Sequence, residues 1–406
     1  MGMTDRMAEK SIFRIRHELY VLTGSLFFGD FGTGILMPLI PLYIKHLDAG
    51  MSLDLEIKSA LAFGVFGLFA ATSYPLMGRL SDRIDRRKPF VLAGLIGFMV
   101  LSAACAIIDT FEQLLAIRVA QGVMVGVMGP SVLAMLTHVS TPDNRGRSMG
   151  VYSTIRGIGS AAGPAAGGVI SVVWGFGAGF YTCAVLGLIS IILVGLFVKE
   201  TRSSGFAWSR TGCLSDQPDS AGSVNGTANT DIRLLASAAF TTMLAIMIIA
   251  TILPLYEVRL GASTAGLGIA LAAYFSARLI FQTPMGMLSD MVGTRRVMVA
   301  GLGMSALLLV WMAHIATTPE FLVLMFATGV AAAAVNTPAL AFGADLSCPD
   351  MVGQQMSLFP MASAIGMVVG PLIGGVFASY LGFASPFYLC AGLMVSIGVM
   401  VMTRGR

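Results

Sequence analysis

Long apolar runs alternate along the chain with short clusters of charge, Gly, Pro and Ser, and twelve of these runs are long enough for a helix to cross a hydrocarbon layer. They predict helices over 19–44, 59–80, 89–108, 112–138, 147–173 and 178–198, then over 232–256, 264–288, 297–316, 320–345, 354–379 and 385–402. One polar stretch interrupts the series: residues 199–231 are rich in Ser, Gly, Asp, Asn and Thr and read as a flexible linker. The pattern therefore predicts an all-α polytopic membrane protein of twelve transmembrane helices. An N-terminal six-helix bundle covers 1–198, the linker 199–231, and a second six-helix bundle 232–406.

Composition narrows the class. With 56% hydrophobic and only 11% charged residues among 406, a water-soluble enzyme is excluded. The formal charge of +4 suggests a basic protein, yet 27 Met and 24 Phe do not fit a nucleic-acid binder. Charge is informative by location. If the N-terminus is cytoplasmic, nineteen Lys and Arg fall in inner segments, against Lys45, Lys58 and Arg259 in outer ones. Such an asymmetry predicts a multi-pass protein of the plasma (inner) membrane with both termini in the cytoplasm. Arg6, Lys10, Arg14 and Arg16 precede a first apolar run too long for a signal peptide, so that span is expected to be retained. The five cysteines (Cys105, Cys183, Cys213, Cys348, Cys390) show no CxxC spacing and read as small packing residues. No cofactor or metal is expected.

The two halves repeat one another. Gly78, Leu80, Ser81 and Asp82 recur 208 residues later as Gly286, Leu288, Ser289 and Asp290. Gly159, Gly163, Pro164, Gly167 and Gly168 recur 207 later as Gly366, Gly370, Pro371, Gly374 and Gly375, and Phe180, Tyr181 and Cys183 as Phe387, Tyr388 and Cys390. Pro41, Leu42 and Tyr43 echo Pro254, Leu255 and Tyr256. Parallel repeats of six helices suggest two bundles that rock about a site between them.

Four motifs carry a family likeness: Gly78-Arg79-Leu80-Ser81-Asp82-Arg83-Ile84-Asp85-Arg86-Arg87-Lys88 between helices 2 and 3, Leu114-x3-Arg118-x2-Gln121-Gly122 in helix 4, Gly159-x3-Gly163-Pro164-x2-Gly167-Gly168 in helix 5, and Phe31-Gly32-x5-Pro38-x2-Pro41 in helix 1. On these residues the chain resembles the major facilitator superfamily over its whole length, and within it the twelve-helix drug:proton antiporters. Asp85 departs from the Gly of the family pattern, and Met291 from an Arg in the second copy, which keeps Gly293. The resemblance implies the major facilitator fold of two pseudo-symmetric bundles. It also implies that Gly78, Asp82, Arg83 and Arg87 form a conformational latch, with Asp290 and Arg295 as a weaker copy. The bland alternative is a positively charged anchor, and Asp82 is suited to the positive N-terminal end of a neighbouring helix.

The remaining candidates follow from cost. Asp30 is the acidic residue near the middle of a predicted span, so it must face a cavity, pair with a cation or be protonated. Arg118 lies at a compatible depth, and the two are expected to carry proton coupling or else form a permanent ion pair. Arg156 and Arg278, with Tyr152, Gln282 and Asn336, are candidates for a substrate cavity. The two arginines suit an anionic or zwitterionic group if unpaired, or else are structural; the polar side chains line the cavity or bond between helices. Gly159, Gly163 and Gly167 stack on one helix face beside Pro164, as Gly366, Gly370 and Gly374 do beside Pro371, giving a hinge or a packing seam.

The expected function is proton-coupled efflux of small amphipathic solutes by alternating access. The alternative is a symporter or facilitator for a small organic anion or zwitterion. There is no GxxxxGK[ST] loop for ATP, and His17, His46, His138 and His314 do not group, so no enzyme is expected. The partners expected are a small-molecule substrate, protons and membrane lipids, for a chain acting as a monomer.

Overall fold

A computed structural model describes residues 3–47, 53–84, 86–139, 145–200, 221–346 and 358–403. Among them the elements are thirteen α-helices and one 3-10 turn, Ile44–His46. The first six are α1 (Met3–Tyr43), α2 (Leu55–Ile84), α3 (Lys88–Ala104), α4 (Phe111–Val139), α5 (Arg145–Trp174) and α6 (Phe176–Phe197). The others are α7 (Ala221–Thr251), α8 (Leu253–Leu260), α9 (Thr264–Val292), α10 (Thr294–Met312), α11 (Thr318–Leu346), α12 (Leu358–Leu381) and α13 (Ser385–Thr403). Eleven helices are long and apolar enough to cross a membrane, and Lys88–Ala104 is a shorter apolar one. At 17 residues it would span about 26 Å, near the lower limit for a transmembrane helix.

Two helices begin earlier than the hydropathy pattern predicts. α1 starts at Met3 because residues 3–23 contain neither Gly nor Pro and abound in Met, Ala, Glu, Lys, Arg and Leu. α7 starts at Ala221, inside the expected linker. The seventh span is also broken where a continuous helix was expected. Pro254 has no N–H for the carbonyl of Ala250, and the chain turns at Ile252 before restarting as α8, which ends at left-handed Gly261 (φ 58°).

Two compact units result: Met1–Met51 with Val65–Ser204, and Ser52–Gly64 with Gly205–Arg406. In the first, α1 packs on α5 and α6, and α3 on α4 and α6. In the second, α7 packs on α12, α11 and α13, while α10 packs on α11 and α13.

The sequence repeat reappears as repeated contacts. The Tyr43 hydroxyl donates to the Ile108 carbonyl (3.1 Å), and its ring sits 5.7 and 5.0 Å from Phe176 and Phe180. The Tyr256 hydroxyl donates to the Met312 carbonyl (2.8 Å), with Phe383 and Phe387 at 5.0 and 6.2 Å. α4 opens with a reciprocal cap in which the Gln113 amide N–H donates to Thr110 Oγ1 and Gln113 Oε1 accepts from the N–H of Thr110. At α11 the Glu320 N–H donates to Thr317 Oγ1 in the same way. Gly175 and Gly382, at φ 85° and 91°, make the matching tight turns before α6 and α13.

Candidate transport site

In the first unit a glycine seam on α5 brings α1 close enough for Arg156 to reach Asp30. A Cβ on Gly159 would lie 3.1 Å from Phe31 N, and one on Gly163 would lie 2.7 Å from both Gly34 Cα and Phe31 O. On Gly167 it would stand 2.6 Å from Ile35 O. Side chains at these positions would force the helices apart. At that spacing Arg156 donates from Nε to Asp30 Oδ2 at 2.8 Å and from Nη2 to Oδ1 at 2.9 Å. Both carboxylate oxygens are held by one guanidinium edge, the strongest geometry available to this pair. Arg156 Nη1 also donates to the Tyr152 hydroxyl (3.2 Å), and the guanidinium carbon sits 5.3 Å from the Tyr152 ring centre. Tyr74 of α2 interacts electrostatically with both charges. The pair is not sealed: 48% of the Arg156 side-chain surface and 16% of that of Asp30 remain accessible.

This arrangement departs from the sequence-based pairing. Asp30 meets Arg156, not Arg118, and Arg156 is therefore not an unpaired cation. The reason is rotational: Asp30 lies on the α1 face toward Gly159, while Gly32, two residues on, faces Cys183 of α6. Arg118 is 4% exposed and sits with Cys105, Cys183 and the ring of Phe66, at 5.6 Å. Its Nε and Nη2 have no hydrogen-bond partner.

In the second unit α12 repeats the seam. A Cβ on Gly366 would lie 2.8 Å from Phe240 O, on Gly370 2.7 Å from Met247 Cβ, and on Gly374 3.2 Å from Ile248 Cα. Among the described residues, Arg278 of α9 interacts electrostatically with Tyr274 one turn earlier, and no ion pair joins it to a carboxylate. Asn336 of α11 donates to Thr242 Oγ1 of α7 at 3.0 Å and to the Ala332 carbonyl at 2.9 Å. The bond between helices is thus present, and Gln282 is exposed. Polarity inside a span had singled out Tyr152 in the sequence; the same criterion finds Tyr74 and Tyr274.

A model of the Major Facilitator Superfamily matches residues 22–210 and 235–405. The chain belongs to this superfamily. Multidrug resistance protein MdtG of Dickeya zeae is 28% identical over 393 residues, covering 94% of this chain and 92% of that protein. The MdtG of Proteus mirabilis is 28% identical over 386 residues, with 93% of each covered. Among solved structures, a peptide transporter POT in complex with sulfate superposes with a TM-score of 0.75 at 15% identity, over 95% and 94% of the two chains. A bacterial homolog of the human lysosomal transporter Spinster, inward-facing and unoccupied, gives 0.70 at 15% identity, over 96% and 95%. As a superfamily member the chain is a multi-pass secondary transporter of small molecules and not an enzyme.

The segment that resembles the superfamily's latch is described in part. Gly78 packs on Pro130 of α4, where a Cβ would lie 3.4 Å from the ring, and Gly286 meets Thr337 of α11 at the same distance. Arg83 and Asp290 are exposed, and Arg295 stacks 5.2 Å from the Phe342 ring. The Asp82 side chain and Asp85 lie outside the described residues. Gly293 ends α9 at φ 103°, which explains the Gly of the pattern there. At the N-terminus of α3 the acid in place is Glu200. Its Oε1 accepts from the backbone N–H of Arg87 (2.7 Å) and of Lys88 (3.1 Å), while Lys88 Nζ donates to the Gly195 carbonyl of α6 (2.7 Å). Sequence reasoning missed this contact, although Glu200 is the acid that directly follows the sixth apolar run.

Proposed function

We propose that the chain is a proton-coupled exporter of small amphipathic solutes, acting as a monomer in the plasma (inner) membrane with both termini cytoplasmic. The observation that carries the reading is the half-open Asp30–Arg156 pair inside a span. While Asp30 is ionised, Arg156 neutralises it. A proton on Asp30 cancels its charge and turns one of the two accepting oxygens into a donor, which leaves the Arg156 cation uncompensated inside a span, an unfavourable state that a change of conformation relieves. Proton entry and bundle movement are thereby tied to one carboxyl group. The MdtG relatives, named for multidrug resistance, support outward transport of drug-like solutes. The seams of α5 and α12 serve as the contacts about which the helices pivot, with Gly78, Asp82, Arg83 and Arg87 as the latch.

Reconstituted vesicles under an imposed pH gradient test this with cationic, zwitterionic and anionic solutes. The gradient should drive transport by the native chain and not by Asp30→Asn; gradient-independent transport that survives this change would overturn the reading. Arg278, with no carboxylate partner among the described residues, favours as second reading a carrier of small organic anions. In that case Arg278→Ala removes anion transport and spares the rest.

A further inference from the structure

We infer, building on the proposed proton coupling through Asp30, that the Tyr152 hydroxyl is the positioning group of that site: it holds Arg156 beside Asp30 while the carboxyl carries a proton, and so sets the pH at which the proton is given up. In the second unit the repeat keeps the glycine seam and drops the charges. A Cβ on Gly159 would meet Phe31 N, Phe27 O and Asp30 Cβ at 3.1, 3.2 and 3.4 Å; one on Gly366 would meet Leu244 N, Phe240 O and Met243 Cβ at 3.2, 2.8 and 3.2 Å. The same three atoms recur 213 residues later, so Met243 stands in the second unit where Asp30 stands in the first. α12 repeats α5 at 207 residues, which puts Ser363 at the place of Arg156 and Phe359 at that of Tyr152. Acid, cation and hydroxyl are thus lost together while the aromatic ring is kept, 8% exposed in Tyr152 and 3% in Phe359. Packing uses the ring; the hydroxyl goes with the charges.

A buried hydroxyl is costly unless bonded, and this one accepts from Arg156 Nη1 at 3.2 Å, with the ring centre 5.3 Å from the guanidinium carbon. The other two bonds of the guanidinium, from Nε and Nη2, go to Asp30 and draw their strength from its charge. The bond to Tyr152 does not. With 48% of its side chain accessible, Arg156 would otherwise be free to extend its head into water once Asp30 is protonated. Tyr152 keeps the cation within reach, and a cation at that distance favours return to the carboxylate. Among the described residues, the other titratable group that interacts with the pair is Tyr74 of α2, whose hydroxyl end packs on Gly129 of α4. Arg118 of α4 lies against the Phe66 ring, and Cys183 of α6 against Gly32.

Infrared titration of the full-length protein in lipid vesicles tests this with the proton itself as the probe. The band of the protonated Asp30 carboxyl is identified by its loss in Asp30→Asn, and its midpoint is followed against pH. In Tyr152→Phe the midpoint should rise by about one pH unit, a tenfold change in proton affinity. Tyr43→Phe, which removes a hydroxyl bonded to the Ile108 carbonyl instead, should leave it unchanged. With Arg156→Met already present, Tyr152→Phe should add no further shift, because the hydroxyl acts through the guanidinium. An unmoved or lowered midpoint in Tyr152→Phe, or the same added shift with Arg156→Met present, would overturn the inference and leave proton coupling standing. A carboxyl band that does not titrate, or none that Asp30→Asn removes, would overturn the proton-coupled reading and the inference with it. If Arg156→Met does not fold, the comparison of Tyr152→Phe with Tyr43→Phe decides, since Phe359 shows that a Phe ring fits this place in the repeat.

Discussion

Gly34 and Gly163 meet with no side chain between them, one turn along the α1–α5 seam from the Asp30–Arg156 pair. A Cβ on Gly163 would stand 2.7 Å from Gly34 Cα, so Gly163→Ala must push the helices apart. Overpacking of this kind costs about 1–3 kcal/mol. The expected outcome is a lower melting temperature in detergent together with weaker proton-driven transport, because the added separation stretches both hydrogen bonds to Asp30. Gly24→Ala, where nothing lies within 4 Å of the added carbon, should leave both unchanged.

Removing one partner of the ion pair should hurt more than removing both. Arg156→Ala leaves the Asp30 carboxylate without its cation; breaking a buried pair costs about 3–5 kcal/mol. With 48% of the Arg156 side chain accessible, the loss should fall below that range. Asp30→Asn combined with Arg156→Gln removes both charges and should recover most of the melting temperature without restoring dependence on a pH gradient. Arg156→Lys should lie between, because an ammonium cannot grip both oxygens with one rigid edge. If the double variant were as unstable as Arg156→Ala, the pair would not be the source of the effect.

The spans and the repeat were legible because both rest on signals that a chain must write locally: twenty apolar residues for a crossing, and glycines where backbones touch. The partner of Asp30 was not. Depth along a helix can be counted from the sequence, and depth allowed Arg118; which face of α1 turns toward which neighbour depends on packing, and places Asp30 by Gly159 but Gly32 by Cys183. The break at Ile252 was hidden for a related reason. Pro41 in α1 and Pro254 occupy matching places, and the helix continues through the first and restarts at the second. Glu200 could be seen as an acid beyond a span, but not as the carboxylate that meets the N-terminus of α3 from the far end of α6.

That carboxylate gives a prediction of its own. Glu200 Oε1 accepts from two backbone N–H groups that have no partner within α3. Capping contacts of this type contribute about 0.5–2 kcal/mol, and exposure to solvent puts Glu200 at the lower end. Glu200→Gln keeps an acceptor and should lower stability slightly; Glu200→Ala should lower it more, with faster hydrogen exchange at the amides of Arg87 and Lys88. Equal exchange in the native chain and Glu200→Ala would show that the contact does not hold this end of the helix.

The repeated tyrosines should respond unequally to the same change. Tyr43 donates to the Ile108 carbonyl in the connection between α3 and α4, and Tyr256 to the carbonyl of Met312 at the end of α10, but Tyr256 is fully buried and Tyr43 is not. Replacing either with Phe keeps the ring among its aromatic neighbours and removes one donor. In Tyr256→Phe the Met312 carbonyl is stranded away from water, and an unsatisfied buried acceptor costs about 1–3 kcal/mol. In Tyr43→Phe water can reach the Ile108 carbonyl, and the net loss should be about 1 kcal/mol or less. Thermal unfolding of the two variants side by side checks the ordering. A larger loss in Tyr43→Phe would mean that the partly exposed hydroxyl bears more of the fold than its surroundings imply, and that burial is not what separates the two halves.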